Sequence, residues 1–170
     1  MLRPLILSAL LALPTGALAQ DMTAEEILAR LERQALGLAK GVEFYPTETA
    51  DDGYRTMPVE DQVQLRIQFA FDSADILESE IADLAELCTA INATSGANIN
   101  IIGHTDAAGA EAYNKALSEQ RASAVVAHLT GECGVEETQL QAVGVGERHL
   151  LEPENPRGDR NRRVEIQMAL

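Results

Sequence analysis

Residues 103–109, with the sequence GHTDAAG, place an acidic side chain where a predicted strand ends and a helix is about to begin. The carboxylate of Asp106 therefore lies among backbone N–H groups that no strand partner uses. Arg121 stands on the following helix, at the border of its apolar stripe. A guanidinium withdrawn from water needs a carboxylate or an equivalent acceptor, and Asp106 is a candidate. Spacing alone leaves two interpretations open, a structural ion pair and a ligand site.

The rest of the sequence offers little for covalent catalysis. The histidines His104, His128 and His149 are dispersed, and neither a G-x-S-x-G nor an H-E-x-x-H motif occurs. His104 adjoins the candidate carboxylate, but we interpret a histidine at a strand end as a structural, hydrogen-bonded group. We therefore do not expect an enzyme, and we expect no cofactor and no metal site.

The N-terminal residues 1–19 have the features of a secretory signal peptide. Arg3 supplies the positive start, residues 5–13 form an apolar core, and Ala17 and Ala19 are the small side chains that a signal peptidase requires. The apolar run is about half the length that a membrane-spanning helix needs. We predict an exported protein of the periplasm, or one associated with the outer membrane, whose mature chain begins at Gln20.

Export makes the cysteines informative. Cys88 and Cys133 are the only two, and in an oxidising compartment an even pair is expected to be bridged. Two thiols with dispersed histidines make a poor zinc site. We therefore predict a disulfide between them.

The charge balance excludes some partners. The sequence has 13 basic and 27 acidic residues, a formal net charge of -14. This charge opposes binding to nucleic acid or to an anionic membrane surface. Hydrophobic residues at 46% and charged residues at 24% are typical of a folded globular domain.

A short amphipathic helix is predicted at 23–40. Thr23 and Glu26 form a capping box, and Gly41 can end the helix. This helix packs either against its own domain or against a partner, including a second copy, and the sequence leaves both possibilities open. Residues 41–61 have the composition of a loop or linker. The helix has an apolar stripe of Leu28, Leu31, Ala35 and Leu38.

Strands and helices alternate through the rest of the chain. One-sided strands and one-sided helices predict an α+β fold of two layers, a mixed four-stranded sheet with the two main helices on one face. The predicted apolar stripe of the helix at 76–93 includes Leu77 and Ile81, and Asp75 and Glu78 are the expected N-terminal cap of this helix. The expected elements are a strand at 63–71, a helix at 76–93, a strand at 97–103, a helix at 111–131, a strand at 140–146 and a last strand through Val164, Ile166 and Met168.

From Gln64 to Met168 the chain resembles the OmpA-like peptidoglycan-binding domain, which also occurs in peptidoglycan-associated lipoproteins and flagellar stator proteins. Each matching segment is short, but their order and spacing together are specific. The segments are FAFDSADI at 69–76, GHTD at 103–106, Gly109, Asn114, Leu117 with Ser118, Arg121 with Ala122, Val125, GVGE at 144–147 and NRRVE at 161–165.

The resemblance implies a βαβαββ domain that binds the diaminopimelate-containing stem peptide of peptidoglycan without covalent chemistry and helps to anchor the envelope of Gram-negative bacteria. The ligand residues of the family map onto Asp106 and Arg121. Diaminopimelate ends in an ammonium and a carboxylate, which an aspartate and an arginine would match. The resemblance also places six supporting residues around the pocket, each of which has an alternative role in the fold: Phe71, Asp72, Thr105, Asn114, Leu117 and Arg163.

The expected organisation is a signal peptide at 1–19, a helix and linker at 20–62 and the OmpA-like domain at 63–170. An alternative function is a periplasmic interaction or assembly protein. In that case the 23–40 helix would make the main contact with an envelope protein or with a second copy.

Overall fold

The computed structural model describes residues 22–40, 53–70 and 73–169. The predicted signal peptide, much of the predicted linker and the residues Phe71 and Asp72 lie outside these ranges. From the first strand onward the elements follow the expected βαβαββ order. The elements are helix α1 (Ala24–Lys40), strand β1 (Val63–Leu65), helix α2 (Ile81–Ala93), strand β2 (Ile99–His104), helix α3 (Glu111–Cys133), strand β3 (Leu140–Gly146) and strand β4 (Val164–Met168).

The four strands form one mixed sheet in the spatial order β1-β4-β2-β3. Strands β2 and β3 are parallel and are joined by the α3 crossover, whereas β4 lies antiparallel between β1 and β2. Gly103 near the end of β2 pairs with Val164 at the start of β4. The residues after β2 and those before β4 therefore meet at one end of the sheet, which brings Asp106 close to Arg162.

The helices cover one face of the sheet and enclose the main apolar core. The side chains of Ile99, Ile101 and Ile166 are fully buried on this face, and they belong to the same cluster as Leu84 of α2 and Leu129 of α3. The α+β class and the placement of the main helices on one face are thus confirmed.

Two glycines let α3 lie directly on the strands that it connects. Gly103 and Gly144 are paired across β2 and β3. A Cβ at Gly103 would lie 2.1 Å from the carbonyl oxygen of Ser118, and a Cβ at Gly144 would lie 2.4 Å from the amide nitrogen of Glu119. Any larger residue at either position would push the helix away from the strands.

Helix α1 packs against its own domain. The predicted capping box is present, since the amide of Glu26 donates to Thr23 Oγ1 (3.3 Å) and the amide of Thr23 donates to Glu26 Oε2 (3.2 Å). Ile27 and Leu31 are fully buried in the main core. The buried amide of Gln34 donates to the carbonyl of Asp61 (2.8 Å) and accepts from the amide of Met168 (2.8 Å).

Two predicted elements are shorter in the structure. Strand β1 ends at Leu65 and not at residue 71, because its partner β4 begins at Val164, which pairs with Leu65. Helix α2 begins at Ile81 after a turn of 3₁₀-helix. Leu77 and Ile81, expected in the buried stripe, are 37% and 43% exposed, and Leu87 faces the core instead.

The second face of the sheet is also buried, which the expectation of one-sided strands did not include. Glu165 and Gln167 of β4 are 0% and 1% exposed. Tyr54 packs on this face against Ile102, and Gln167 Nε2 donates to the carbonyl of Arg55 (2.8 Å). Residues from the region predicted as linker therefore complete the domain.

Helices α2 and α3 are joined by a disulfide between Cys88 and Cys133, whose Cα atoms are 5.7 Å apart. None of the helices within the described ranges has both the length and the apolar character that a membrane span requires.

Candidate functional site

Asp106 lies in the loop after β2, with both carboxylate oxygens engaged. Its Oδ1 accepts from the amide of Ala108 (2.9 Å), which turns the loop toward α3. Its Oδ2 accepts from Arg162 Nη1 (2.7 Å). The side chain of Asp106 is 12% exposed, whereas that of Arg162 is 47% exposed. The ion pair is therefore anchored on the aspartate side and open to solvent on the arginine side.

Two of the predicted supporting residues hold this loop in place. The buried amide group of Asn114 lies within hydrogen-bond distance of the carbonyls of Asp106 (3.2 Å) and Ala108 (3.1 Å), and of Glu147 Oε2 (2.6 Å). The amide of Thr105 donates to the carbonyl of Gly146 (2.9 Å). These contacts hold the loop of Asp106 in position, and none of them involves the carboxylate oxygens of Asp106. Leu117 is half-buried on α3, one helical turn before Arg121.

Arg121 lies on α3 beside the residues that follow β1. Its guanidinium carbon is 4.9 Å from the ring centroid of Phe69, and its Nε donates to the carbonyl of Ser73 (3.4 Å). Burial lowers the pKa of Arg121, the charge of Arg162 lowers it further, and Asp106 acts in the opposite direction. Two guanidinium groups therefore lie within electrostatic range of one carboxylate.

A cavity of about 210 Å³ opens next to these groups. Its polar lining includes Arg66, Arg121, Arg162 and Asp159, so arginines outnumber the single acidic side chain. Ile67 and Phe69 form the apolar part of the lining. An anionic group is attracted to such a cavity even though the whole chain is strongly acidic.

A second charged cluster lies on the buried face of the same sheet end. Glu165 Oε2 lies 3.5 Å from His104 Nε2 and 3.4 Å from Arg163 Nη2, and the exposed fractions of these three side chains are between 0% and 4%. Glu165 also accepts from Gln167 Nε2 (3.0 Å) and from the hydroxyl of Tyr54 (3.4 Å). We call the side chains of His104, Arg163 and Glu165 the buried cluster.

Burial and short-range contacts together decide the protonation states in the buried cluster. It lowers the pKa of His104 to about 4, against the opposing contact with Glu165, so the imidazole is neutral at pH 7. Burial alone would raise the pKa of Glu165, but the contacts with His104 and Arg163 outweigh it and the pKa is lowered. The cluster thus holds one carboxylate and one guanidinium that solvent does not reach, which is the arrangement of a structural ion pair.

Residues 68–163 match the sequence model of a family described as the OmpA family. The chain belongs to the OmpA family. It is similar to outer membrane porin F of Pseudomonas aeruginosa, with 38% identity over 109 residues, a match that covers 63% of this chain and 31% of the porin. It therefore spans less than a third of that relative.

Other OmpA-family relatives are covered more fully. The chain is similar to the peptidoglycan-associated lipoprotein of Legionella pneumophila, with 31% identity over 137 residues that cover 78% of this chain and 73% of the lipoprotein. The crystal structure of the peptidoglycan-associated lipoprotein from Burkholderia pseudomallei is also similar, with 30% identity, a TM-score of 0.52 and coverage of 61% of this chain and 88% of that chain.

Sequence reasoning about this candidate site missed Arg162. It selected Arg163 from the NRRVE segment, but Arg163 is 5% exposed and its Nη2 donates to the carbonyl of His149 (3.2 Å) and to Glu165. Arg162 is the residue that reaches Asp106. Successive residues along an extended chain point to opposite sides, so adjacent arginines before a strand cannot both face one pocket. This alternation in the sequence indicates that only one of Arg162 and Arg163 can face Asp106.

Proposed function

We propose that this OmpA-family domain binds peptidoglycan without covalent chemistry, through the diaminopimelate of the stem peptide, and thereby helps to anchor the cell envelope. The observation that carries the proposal is the ion pair of Asp106 with the half-exposed Arg162, close to Arg121, with both arginines lining one cavity. The names of two relatives, which describe peptidoglycan-associated lipoproteins, agree with this ligand.

In the proposed complex the two ends of the zwitterion take different partners. The ammonium of diaminopimelate binds Asp106, and its carboxylate binds the guanidinium of Arg121, whose planar fork suits a bidentate contact. The side chain of Arg162 is half exposed, so it loses little packing when it releases Asp106 to the ligand. Charge-assisted hydrogen bonds of this kind contribute about 1.5–3 kcal/mol each.

The supporting residues divide into three groups. Thr105 and Asn114 position the loop of Asp106, and Leu117 lies on the same helix as Arg121. Phe71 and Asp72 remain predictions, because they lie outside the described residues. We do not assign Arg163 to the ligand, since its contacts lie in the buried cluster.

The proposal extends to the setting of the domain. We place it in the periplasm, exported by the signal peptide at 1–19, with the helix and linker at 20–62 and the OmpA-like domain at 63–170. Its role there is attachment to the wall and not catalysis.

Co-sedimentation with purified sacculi of the diaminopimelate type tests the proposal. We expect Asp106→Ala and Arg121→Ala each to weaken binding by about tenfold or more, because each removes a charge-assisted contact. The double variant should lose less than the sum of the two single effects, since the two residues act on one ligand group.

Arg160→Ala is the matched control, because Arg160 lies two residues before Arg162 but pairs with Glu152 at the surface. It should bind sacculi as the wild type does. Circular dichroism verifies that every variant is folded. Folded Asp106→Ala and Arg121→Ala proteins that sediment as the wild type does would show that these two residues have structural roles only. A wild type that ignores sacculi would contradict the proposed function itself.

A further inference from the structure

A cluster of potential metal ligands lies away from the proposed peptidoglycan site, where the end of α3 meets α2. Cys88 on α2 lies beside His128 and Cys133 on α3, and one ligand atom from each of the three residues lies within 4.8 Å of the other two. The three histidines are far apart in the sequence, which gave no indication of such a cluster. The packing of the two helices brings His128 next to both sulfur atoms.

We infer that these three side chains form a zinc site when the disulfide is reduced. Zinc binds thiolate sulfur at about 2.3 Å and imidazole nitrogen at about 2.0–2.1 Å in tetrahedral geometry, so its ligand atoms lie roughly 3.5 Å from one another. The sulfur atoms therefore have to separate from bonding distance, and the imidazole has to approach by about 1 Å. Side-chain rotation at the helix surface can supply both movements.

The surroundings allow a metal ion to enter. The three residues line an open groove of about 530 Å³, in which Cys88 is nearly buried and the other two are half-buried. Water would fill the fourth position of a tetrahedral site, and the exposed side chain of Glu132 lines the same groove. Two thiolates and one imidazole form a donor set that binds zinc in preference to calcium or magnesium.

Zinc binding requires two steps, reduction of the disulfide and then exchange of the thiol protons for the metal. A dithiol reductant transfers two electrons and two protons to the Cys88–Cys133 bond, which breaks to give two thiols, and the reductant becomes a disulfide. Zinc then replaces both thiol protons, which are released to solvent, and neutral His128 adds a ring nitrogen. The metal thus takes over the cross-link between α2 and α3 that the disulfide provides in the oxidised protein.

Metal titration of the full mature chain tests this inference. The protein is reduced with a phosphine, the reductant is removed without oxygen, and Co²⁺ is added as a spectroscopic probe before Zn²⁺ displaces it. We expect one Co²⁺ per reduced chain, with a thiolate-to-cobalt charge-transfer band that the oxidised protein lacks. Zinc should also raise the thermal midpoint of the reduced chain.

Substitutions separate a three-residue site from binding by loose thiols. His128→Ala should weaken Zn²⁺ binding by about tenfold or more, because even the loss of a residue that only orients a metal ligand lowers metal affinity by about 10–100-fold. Thr89→Ala is the control, because Thr89 lines the groove but its hydroxyl donates to the carbonyl of Ala85 (3.0 Å). A reduced wild type without the charge-transfer band, or without a rise in thermal midpoint on adding zinc, would overturn the inference. Equal zinc affinity in the His128→Ala and wild-type proteins would overturn it too.

Discussion

Two clusters of the same chemistry lie at one end of the sheet and differ in their access to water. The rim cluster consists of Asp106, Arg121 and Arg162, and the buried cluster consists of His104, Arg163 and Glu165. The neighbouring side chains of Arg162 and Arg163 are 47% and 4% exposed. One residue step along the chain thus separates an arginine that a ligand can reach from one that it cannot.

The difference in burial assigns the two clusters different roles. An ion pair near the surface contributes about 0–1 kcal/mol to stability, so a ligand can replace it at little cost to the fold. A buried pair has given up its hydration, and the removal of one partner leaves an uncompensated charge in a low dielectric. We therefore propose that the rim cluster binds the ligand and that the buried cluster supports the fold.

The largest expected effect is on the buried cluster. Glu165→Gln removes the only charge that faces Arg163 at salt-bridge distance among the described residues, and it should lower the free energy of unfolding by about 3–5 kcal/mol. Asp106→Asn, the matched substitution in the rim cluster, should change it by about 1 kcal/mol or less, because Arg162 remains half in water. Urea denaturation of both variants measures the two values. Equal losses of stability would remove the distinction between the clusters.

Acid should also act mainly on the buried cluster. His104 has its pKa lowered from 6.5 to about 4, so the unfolded chain binds more protons than the folded chain between these values. Stability is therefore full above pH 6.5 and falls as the pH is lowered to 4, by about 3 kcal/mol in total. The lowered pKa of Glu165 extends the loss in the same direction at still lower pH.

Urea denaturation at a series of pH values tests this dependence. His104→Gln removes the titrating group and should flatten the curve between pH 6.5 and 4. His128→Gln replaces a half-buried histidine outside the buried cluster and is the control for the loss of a histidine elsewhere in the chain. A His104→Gln protein with the full acid dependence would place the responsible group elsewhere.

The smallest expected effect concerns Tyr54, whose side chain packs against the buried cluster. The hydroxyl of Tyr54 donates to Glu165 at 3.4 Å, and the ring stacks on His149 with centroids 4.2 Å apart. Tyr54→Phe keeps the ring and loses one long hydrogen bond, so it should cost about 1 kcal/mol. Thermal denaturation measures this loss. A loss as large as that of Glu165→Gln would show that the hydroxyl, and not Arg163, is the main partner of Glu165.

Elements with a local cause were predictable from the sequence. The bounds of β3, Leu140–Gly146, match the prediction because alternation and flanking turns define them. The capping box of α1 matches because three residues contain the whole motif. The position of Asp106 at the end of β2 also follows from local order, since a strand and the start of a helix lie on either side of it.

Elements with a distant cause were not predictable. The length of β1 is set by where β4 begins, about a hundred residues later. The second buried face depends on Tyr54 and Arg55, which contact β4 residues 111 and 112 positions away. Neither contact leaves a periodic signal, because Glu165 and Gln167 look like the solvent-facing half of an alternating strand.

The structure also changes how the role of α1 should be tested. Deletion of residues 20–60 would remove Ile27, Leu31 and Tyr54 from buried positions, and unfolding would then be mistaken for loss of wall binding. Leu36 is 52% exposed on the same helix. Leu36→Glu therefore tests a partner contact through α1 without disturbing the core.

The central claim is that Asp106 and Arg121 recognise the two charges at the end of diaminopimelate. Calorimetric titration with two soluble stem peptides tests it most directly, one with diaminopimelate and one with lysine, which keeps the ammonium but lacks the carboxylate. The wild type should bind the diaminopimelate peptide about tenfold more tightly or better, and Arg121→Ala should lose that preference while its weaker affinity for the lysine peptide is unchanged. A folded Arg121→Ala protein that keeps the full preference for diaminopimelate would contradict the claim.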